Sequence, residues 1–455
     1  MDKAKELGTA NIPRLMLKYF IPAFIGVFVN ALYNIVDRIF IGQGVGSLAL
    51  SGISVIFPVM LIVMAFGMLI GIGAGVLVSI NMGRRDMAKA EKVLGNSFIL
   101  MILVSLVITV VGFAVKGPML RSFGATSEMI GYANDYLNII LLGTVFQVVG
   151  FSLNAVIRSE GNARVAMYSM LISAGTNLIL DPIFIFGFGW GVKGAAYATV
   201  ISMMVLMIWV LLHFKSNRSV VKMRSKYFSL DKRIIVEILA IGMAPFVMQV
   251  ANSFVQGLLN KTLVSFGGDL AVGAMGIINS VLTLVVMSVV AINMASQPII
   301  GFNFGASQGY RVKETLRIAI IAASALTFAA FVLIQLIPGP IIRLFESKDG
   351  NLLEMGRNGL RIAVLALPVV GFQVVAGNFF QSVGKAKIAT LLTLLRQVFC
   401  LIPLLLIFPP LFGLTGIWMA LPVSDSVSAI IVTLFLRREW KRLGPGAGPS
   451  GNVTM

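Results

Sequence analysis

Cysteine and histidine are almost absent from this sequence of 455 residues, which contains one of each, Cys400 and His213. Disulfide frameworks, zinc sites built from cysteine and histidine, and histidine-based triads are therefore excluded by count. Acidic residues are also scarce, at 18 Asp and Glu against 36 Lys and Arg. Charged residues make up 12% of the chain, whereas soluble domains carry about 25%. A soluble enzyme is therefore excluded, and the chemistry must come from carboxylates, amides, hydroxyls and aromatic rings.

Long apolar runs dominate the sequence, and 58% of its residues are hydrophobic. A run of about 20 apolar residues is long enough to cross a bilayer as a helix. The sequence contains twelve such runs, at 15–38, 53–80, 94–115, 130–157, 164–186, 192–213, 235–262, 275–300, 316–337, 359–382, 388–409 and 413–436. We therefore predict an all-α integral membrane protein with 12 transmembrane helices.

Basic residues lie mainly on one side of the predicted spans. The N-terminus, the loops after even-numbered spans and the end of the last span hold 26 of the 36 Lys and Arg. Loops rich in Lys and Arg stay in the cytoplasm. The sequence therefore predicts a multi-pass protein of the inner (plasma) membrane with both termini cytoplasmic. The net charge of +18 then reflects this topology and attraction to anionic lipid, so we expect no nucleic-acid partner.

Short motifs recur in the same order in the two halves of the chain, at lags of 222–226 residues. The matches are Asn81-Met82-Gly83 with Asn303-Phe304-Gly305, Phe146–Val149 with Phe372–Val375, Gly161 with Gly384, and Gly46 with Gly268. Six crossings return the chain to the same side, which predicts two parallel-related six-helix lobes, a plan typical of secondary transporters. We place an N-lobe at 1–214, a solvated cytoplasmic linker at 215–234, a C-lobe at 235–440 and a flexible tail at 441–455.

Only three acidic residues, Asp37, Asp181 and Asp425, count as lying within predicted spans, because Asp135 and Glu237 sit near span ends. An acid within a bilayer is a functional candidate because charge is costly there. Asp37 lies about 22 residues, or roughly 33 Å, along a helix that runs outward, and Asp181 also reaches the outer half of its span. Asn177 precedes Asp181 by one helical turn, and Thr199 enters the sixth span from the outer side. We therefore predict that four side chains lie at a similar depth in the membrane: Asp37, Asn177, Asp181 and Thr199.

Two carboxylates with an amide and a hydroxyl offer oxygen ligands suited to Na⁺. A buried carboxyl pair can also share one proton, because close charges of like sign repel each other. Pro182 interrupts the fifth helix after Asp181 and can free backbone carbonyls, which build ion sites in membrane proteins. The structural alternative pairs Asp37 with the adjacent Arg38 and makes Asp181 a helix cap. We expect Na⁺ or H⁺ as coupling ion, with no cofactor and no bound metal centre.

Three motifs resemble the multidrug and toxic compound extrusion (MATE) family: Val36-Asp37-Arg38-Ile39-Phe40-Ile41-Gly42, Asn177-x-x-x-Asp181-Pro182 and Gly194-Ala195-Ala196. The resemblance covers residues 12 to 440. It implies a cation-coupled antiporter that exports organic cations and amphipathic drugs by alternating access. It also implies a cation-coupling site at Asp37, Asn177, Asp181 and Thr199. The carboxylates of the family's second site, in the seventh and tenth helices, are replaced here by amides such as Gln256 and Gln373, so coupling is expected in the N-lobe.

Three further polar residues are candidates for the substrate cavity. Gln147 and Gln373 occupy equivalent places in the two lobes, where they either pack helices together or line the cavity. Asp425 lies in the twelfth span. It either pairs with Arg396 of the eleventh span or faces a cationic substrate.

Three alternative functions have weaker support. A lipid-linked precursor or polysaccharide flippase needs several basic residues in its cavity, and the spans contain little besides Arg396. A major-facilitator transporter is suggested by Gly83-Arg84-Arg85, but the Asp-Arg pair that precedes this motif in that family is missing. A membrane enzyme needs histidine or paired carboxylates with a nucleophile at one membrane face. We therefore expect a monomeric transporter, not an enzyme, that handles small cationic or amphipathic molecules.

Overall fold

The computed structural model describes residues 2–123, 126–343 and 350–443, and every regular element in these ranges is helical. Most of the tail predicted at 441–455 lies outside the described residues. The helices are α1 (Asp2–Thr9), α2 (Ile12–Gly44), α3 (Ser47–Gly83), α4 (Met87–Ser122), α5 (Ile130–Ser159), α6 (Ala163–Pro182), α7 (Gly191–Lys215), α8 (Lys232–Gly305), α9 (Gly309–Leu336), α10 (Pro338–Arg343), α11 (Gly350–Ala363), α12 (Leu367–Ser382), α13 (Ala386–Leu394) and α14 (Ile402–Arg442). π-Helical turns lie at Ile183–Gly187 and Leu395–Leu401.

The described part of the chain contains twelve membrane spans. Ten helical stretches are long and apolar enough individually, and the bent pair α11 and α12 forms an eleventh. One of the ten, Ala386–Arg442, has 57 residues and would extend about 85 Å, far beyond a hydrocarbon layer about 30 Å thick. This stretch breaks at Gly413, where φ is 59° and ψ is −141°, and so supplies two spans. The predicted all-α fold with twelve spans is confirmed.

The two halves of the chain share their rarest backbone turns. Eight of the nine described residues with positive φ occur in pairs separated by 222 or 223 positions, and the ninth is Gly189. The pairs are Gly46 and Gly268, Arg85 and Ser307, Gly161 and Gly384, and Gly191 and Gly413. Most residues with a side chain avoid this left-handed region, so the recurrence of a non-glycine pair is unusual. The predicted internal repeat therefore extends from the sequence to the turns between helices.

The chain divides into two compact units. The first contains Ile21–Phe246 with the residues up to Ala10, and the second contains the chain from Val247 onward with Asn11–Phe20. Each has its own apolar core, which includes Ile56, Leu120 and Leu137 in the first unit and Leu263, Ile278 and Leu360 in the second. The boundaries predicted at 214 and 234 stay predictions.

The tenth span is not the continuous helix that the apolar run at 359–382 predicts. Helices α11 and α12 meet at a bend of 51°. Pro368, at the start of α12, is the cause, because proline lacks an amide hydrogen and its ring clashes with the carbonyl group of Val364 four residues earlier. The run therefore forms a broken span.

Part of the linker after α7 is held by the first unit at Ser219–Val221, while most of its other residues are exposed. The buried carboxylate of Glu160 accepts hydrogen bonds from the Ser219 hydroxyl at 2.9 Å and from the amides of Val220 and Val221 at 3.0 Å. His213 Nε2 lies 2.5 Å from the other oxygen of this carboxylate. One buried acceptor therefore holds three consecutive linker residues, and hydropathy gives no sign of it.

Helices α3 and α8 approach so closely that only glycine fits at two positions. A Cβ atom on Gly242 would lie 1.7 Å from the carbonyl oxygen of Leu69, and one on Gly73 would lie 2.1 Å from that of Ile238. Both obstacles are backbone atoms that no rotamer change can move. Small residues allow this kind of close helix packing in membranes.

We predict that Gly242→Ala destabilises the protein by about 3 kcal/mol or more, because the added methyl group must separate two backbones. Gly257→Ala is the matched control, since a Cβ atom there meets nothing within 4 Å. The measurement is the thermal unfolding midpoint of each purified variant in detergent. Equal midpoints for the two variants would contradict the close contact.

Candidate functional site

Asp181 lies at the point where the fifth span stops being a regular α-helix. It is the penultimate residue of α6, followed by Pro182 and the π-helical turn Ile183–Gly187, and it has no exposed surface. Asn177, one turn earlier on the same face, donates from Nδ2 to Asp181 Oδ1 at 3.2 Å. The irregular end of α6 thus presents a carboxylate and an amide side by side.

Two other helices bring the remaining predicted residues to this position. Asp37 of α2 lies close enough to Asp181 for the two carboxyl groups to interact electrostatically. Thr199 of α7 lies with its Oγ1 3.5 Å from Asn177 Nδ2 and is 5% exposed. The structure therefore brings Asp37, Asn177, Asp181 and Thr199 together in the first unit. Their assignment to cation coupling stays a prediction.

Three oxygen atoms in this cluster are buried and accept no hydrogen bond from a described residue: Asp37 Oδ1, Asn177 Oδ1 and Asp181 Oδ2. No described cation lies within salt-bridge distance of either carboxylate, and the guanidinium group of Arg38 lies over the Phe57 ring at 5.1 Å. The alternative in which Arg38 pairs with Asp37 is therefore not what the structure contains. Buried polar atoms are normally satisfied, so these three oxygens are suited to coordinate a cation, and the two carboxylate oxygens are also suited to take up a proton.

Two tyrosines that sequence reasoning missed line the same cluster. Tyr33 lies one turn before Asp37 in α2, and Tyr136 of α5 lies close to Asp37, Asp181 and Thr199. Helical spacing could have indicated Tyr33, because residues four apart share a face. The sequence carries no comparable signal for Tyr136, since Thr199 is 63 positions away in another helix.

The cavity candidates occupy different surroundings. The Oε1 atom of Gln147 in α5 is buried without a partner among the described residues. Gln373 of α12 donates from Nε2 to Ser428 at 2.8 Å, and its Oε1 atom is also unpartnered there. Gln147 belongs to the first unit and Gln373 to the second, and no hydrogen bond joins Gln147 to the carboxylate pair among the described residues.

Asp425 pairs with Arg396, which is one of the two predicted alternatives. Arg396 Nε lies 2.6 Å from Asp425 Oδ1, and the neighbouring Ser424 hydroxyl donates to the Arg396 carbonyl group at 2.9 Å. The π-helical turn Leu395–Leu401 carries Arg396. The second unit thus holds a charge-neutral pair between its last two spans.

The carboxylate pair is not repeated in the second half of the chain. The positions 222 residues after Asp37 and Asp181 are Leu259 and Pro403. The repeat therefore preserves turns and helices but not the acidic site, which is confined to the first unit.

Comparisons with known proteins agree with this architecture. The family model described as MatE matches residues 22–183 and again 245–407. The second match begins 223 residues after the first, which reproduces the internal repeat. The multidrug export protein MepA of Staphylococcus aureus (strain MRSA252) is 29% identical over 423 residues, and the alignment covers 93% of each chain.

Solved structures give the same result. The MATE multidrug transporter DinF-BH is 38% identical, with a TM-score of 0.89 and coverage of 95% of this chain and 97% of that chain. A MOP superfamily transporter from Pyrococcus furiosus Vc1 (DSM3638) is 26% identical, with a TM-score of 0.90 and coverage of 96% and 98%. The two family matches together span more than half of the sequence. The predicted family resemblance is confirmed, and the chain belongs to the MatE family, the multidrug and toxic compound extrusion transporters.

Proposed function

We propose that this protein is a multidrug antiporter that exports organic cations and amphipathic drugs in exchange for Na⁺ or H⁺. The observation that carries the proposal is the Asp37–Asp181 pair with the adjacent Asn177, which together present three buried oxygen atoms without a hydrogen-bond partner among the described residues. Similarity to proteins named as multidrug exporters supports the substrate class. The 26 basic residues on one predicted side support a plasma-membrane location with cytoplasmic termini.

The proposed mechanism is alternating access driven by the cation. A cation can shift a conformational equilibrium only by binding one state more tightly than the other. In our proposal, Na⁺ or H⁺ binds at Asp37 and Asp181 in the outward-open state, and this binding releases the drug. The neutralised pair then costs less to enclose when the helices return to the inward-open state.

A flippase of lipid-linked precursors has less support. Such a substrate carries a pyrophosphate, which requires basic side chains that are free to bind it. The sequence places one basic residue, Arg396, well inside a predicted span. Its Nε atom lies 2.6 Å from Asp425 Oδ1, so this guanidinium group is already paired. The amides Gln147 and Gln373, each with an unsatisfied buried oxygen, suit hydrogen-bond donors on a drug and are proposed as cavity contacts.

We predict that Asp181→Asn and Asp37→Asn each reduce ion-driven ethidium efflux to the rate of protein-free liposomes, because an amide in place of a carboxylate neither attracts Na⁺ nor exchanges a proton. Purified protein in liposomes is measured under separately imposed Na⁺ and H⁺ gradients. Asp135→Asn is the control, since Asp135 forms an exposed pair with Lys193 at 3.4 Å. Wild-type efflux by Asp181→Asn would disprove the coupling site.

Thr199→Val tests which ion is used. The substitution keeps the side-chain shape but removes one oxygen ligand. We predict that a Na⁺-driven transporter then requires a higher Na⁺ concentration for half-maximal efflux. If H⁺ is the ion, the pH dependence of efflux stays that of the wild type, because a proton on the carboxyl pair does not need this ligand.

We predict that Arg396→Gln destabilises the protein by about 2–3 kcal/mol, because it leaves the Asp425 carboxylate unpaired. The loss is smaller than for a fully buried pair, since the Arg396 side chain is about a third exposed. The double variant Arg396→Gln with Asp425→Asn should recover most of this stability and retain efflux. Thermal unfolding and liposome efflux measure the two properties. Selective loss of cationic drugs by Asp425→Asn at unchanged stability would instead identify Asp425 as a substrate contact.

A further inference from the structure

The second half of the linker lies along helix α4. Lys92 Nζ is 2.7 Å from Asp231 Oδ2, and the Asp231 amide donates to Asn96 Oδ1 at 2.6 Å. A Cβ atom on Gly95 would lie 2.5 Å from the Tyr227 carbonyl oxygen, so the linker backbone rests directly on the helix. The hydrogen bond from Lys92 lowers the pKa of Asp231, which is therefore ionised at neutral pH.

This contact lies at the level where the third span becomes apolar. The Phe228 ring of the linker packs on the Phe98 ring of α4, with 5.4 Å between centroids. Phe98 lies roughly 16 Å along the axis of α4 from the start of that helix at Met87. It belongs to the apolar run 94–115, which is the predicted third span. Phe228 is nevertheless 39% exposed and Leu230 is 50% exposed. Phe228 thus lies beside the predicted start of the apolar span, and both it and Leu230 keep a large part of their surface exposed.

The charges around these side chains are one-sided. The acidic residues on this side are engaged, since Arg224 pairs with Glu91 at 2.8 Å, and Lys92 pairs with Asp231. Lys226, Lys232 and Arg233 are exposed and form no salt bridge with a described carboxylate. The segment 226–233 therefore presents apolar side chains flanked by cations that form no salt bridge within the described part of the chain.

We propose that the segment 226–233 is a docking surface for anionic phospholipid headgroups. Apolar side chains at the interface with basic residues beside them are the pattern that binds anionic membranes. The long stems of lysine and arginine let their charges reach phosphate groups while Phe228 and Leu230 enter the acyl boundary. Its position along the side of α4, and not at the tip of a cytoplasmic loop, favours lipid over nucleic acid or an acidic protein.

Lipid selectivity at this segment can be measured with a fluorophore. Cys400→Ala removes the single cysteine, and Ser229→Cys introduces a labelling site on an exposed residue between the two apolar side chains. The labelled full-length protein is reconstituted in bilayers that contain acyl-brominated phosphatidylglycerol or acyl-brominated phosphatidylcholine. Bromine quenches only nearby fluorophores, so the two lipids report which headgroup is enriched beside the segment.

We expect phosphatidylglycerol to quench more strongly than phosphatidylcholine. This preference should fall by at least about fivefold in the variant Lys226→Gln, Lys232→Gln, Arg233→Gln, because each basic side chain near an anionic surface contributes about that factor. The matched control is Arg437→Gln, Arg438→Gln, Lys441→Gln, which removes the same charge from exposed residues of α14. The control should keep the preference.

Three results would overturn the proposal. Equal quenching by the two lipids, or none, would place the segment away from anionic headgroups. The same loss of preference in both charge variants would assign it to overall charge. Release of the preference by inorganic phosphate or by RNA at constant ionic strength would assign the surface to a soluble ligand. Ethidium efflux is not part of the readout, so the result is independent of the proposed transport cycle.

Discussion

Two carboxyl groups held side by side within an apolar helix bundle repel each other when both are ionised, and no bulk water is present to screen them. Asp37 and Asp181 are in this situation, and no described basic side chain lies within salt-bridge distance of them. The cost can be relieved by a proton, by a metal cation or by moving the helices apart. Each of these changes shifts the relative free energies of conformations in which the two carboxyl groups are close together or apart. The repulsion between them therefore destabilises the site and also couples its occupancy to helix movement. A neutral pair at this place would have no such effect.

The irregular end of α6 makes this arrangement possible. A continuous helix would satisfy every backbone carbonyl group and would carry the side chains past the site at regular intervals. Pro182 and the following π-helical turn end that regularity directly after Asp181. Asn177 and Thr199 then supply hydrogen-bonding groups from within α6 and from α7, while Asp37 enters from α2. Local departures from α-helical geometry often mark functional sites, and here the departure and the buried charge coincide.

Much of this site was predictable because membrane helices obey strong constraints. Scarcity of acids within spans singles out Asp37 and Asp181, and the four-residue spacing adds Asn177. Depth along oppositely directed helices adds Thr199. Tyr136 was not predictable, since its position close to Thr199 depends on how α5 packs against α7. The docked linker was not predictable either, because Glu160 stands among basic loop residues and its acceptor role depends on the folded path of Ser219–Val221. The broken tenth span was not predicted either, because Pro22 and Pro58 lie inside helices that continue past them, so the presence of Pro368 does not by itself locate a break.

The two halves of the chain repeat the same helices, but only the first half contains the acidic pair. This limits the number of ions that the proposed coupling site can bind in each cycle. The second unit has Leu259 and Pro403 at the corresponding positions, and its own buried acid is neutralised by Arg396. One chain therefore offers a single site with two titratable groups. In the proposed cycle, such a site would take up one Na⁺ or at most two protons. Exchange of one Na⁺ for one monovalent organic cation moves no net charge, so the Na⁺ gradient alone would drive it. Entry of two protons for the same drug moves one positive charge inward, so the membrane potential would add to the driving force.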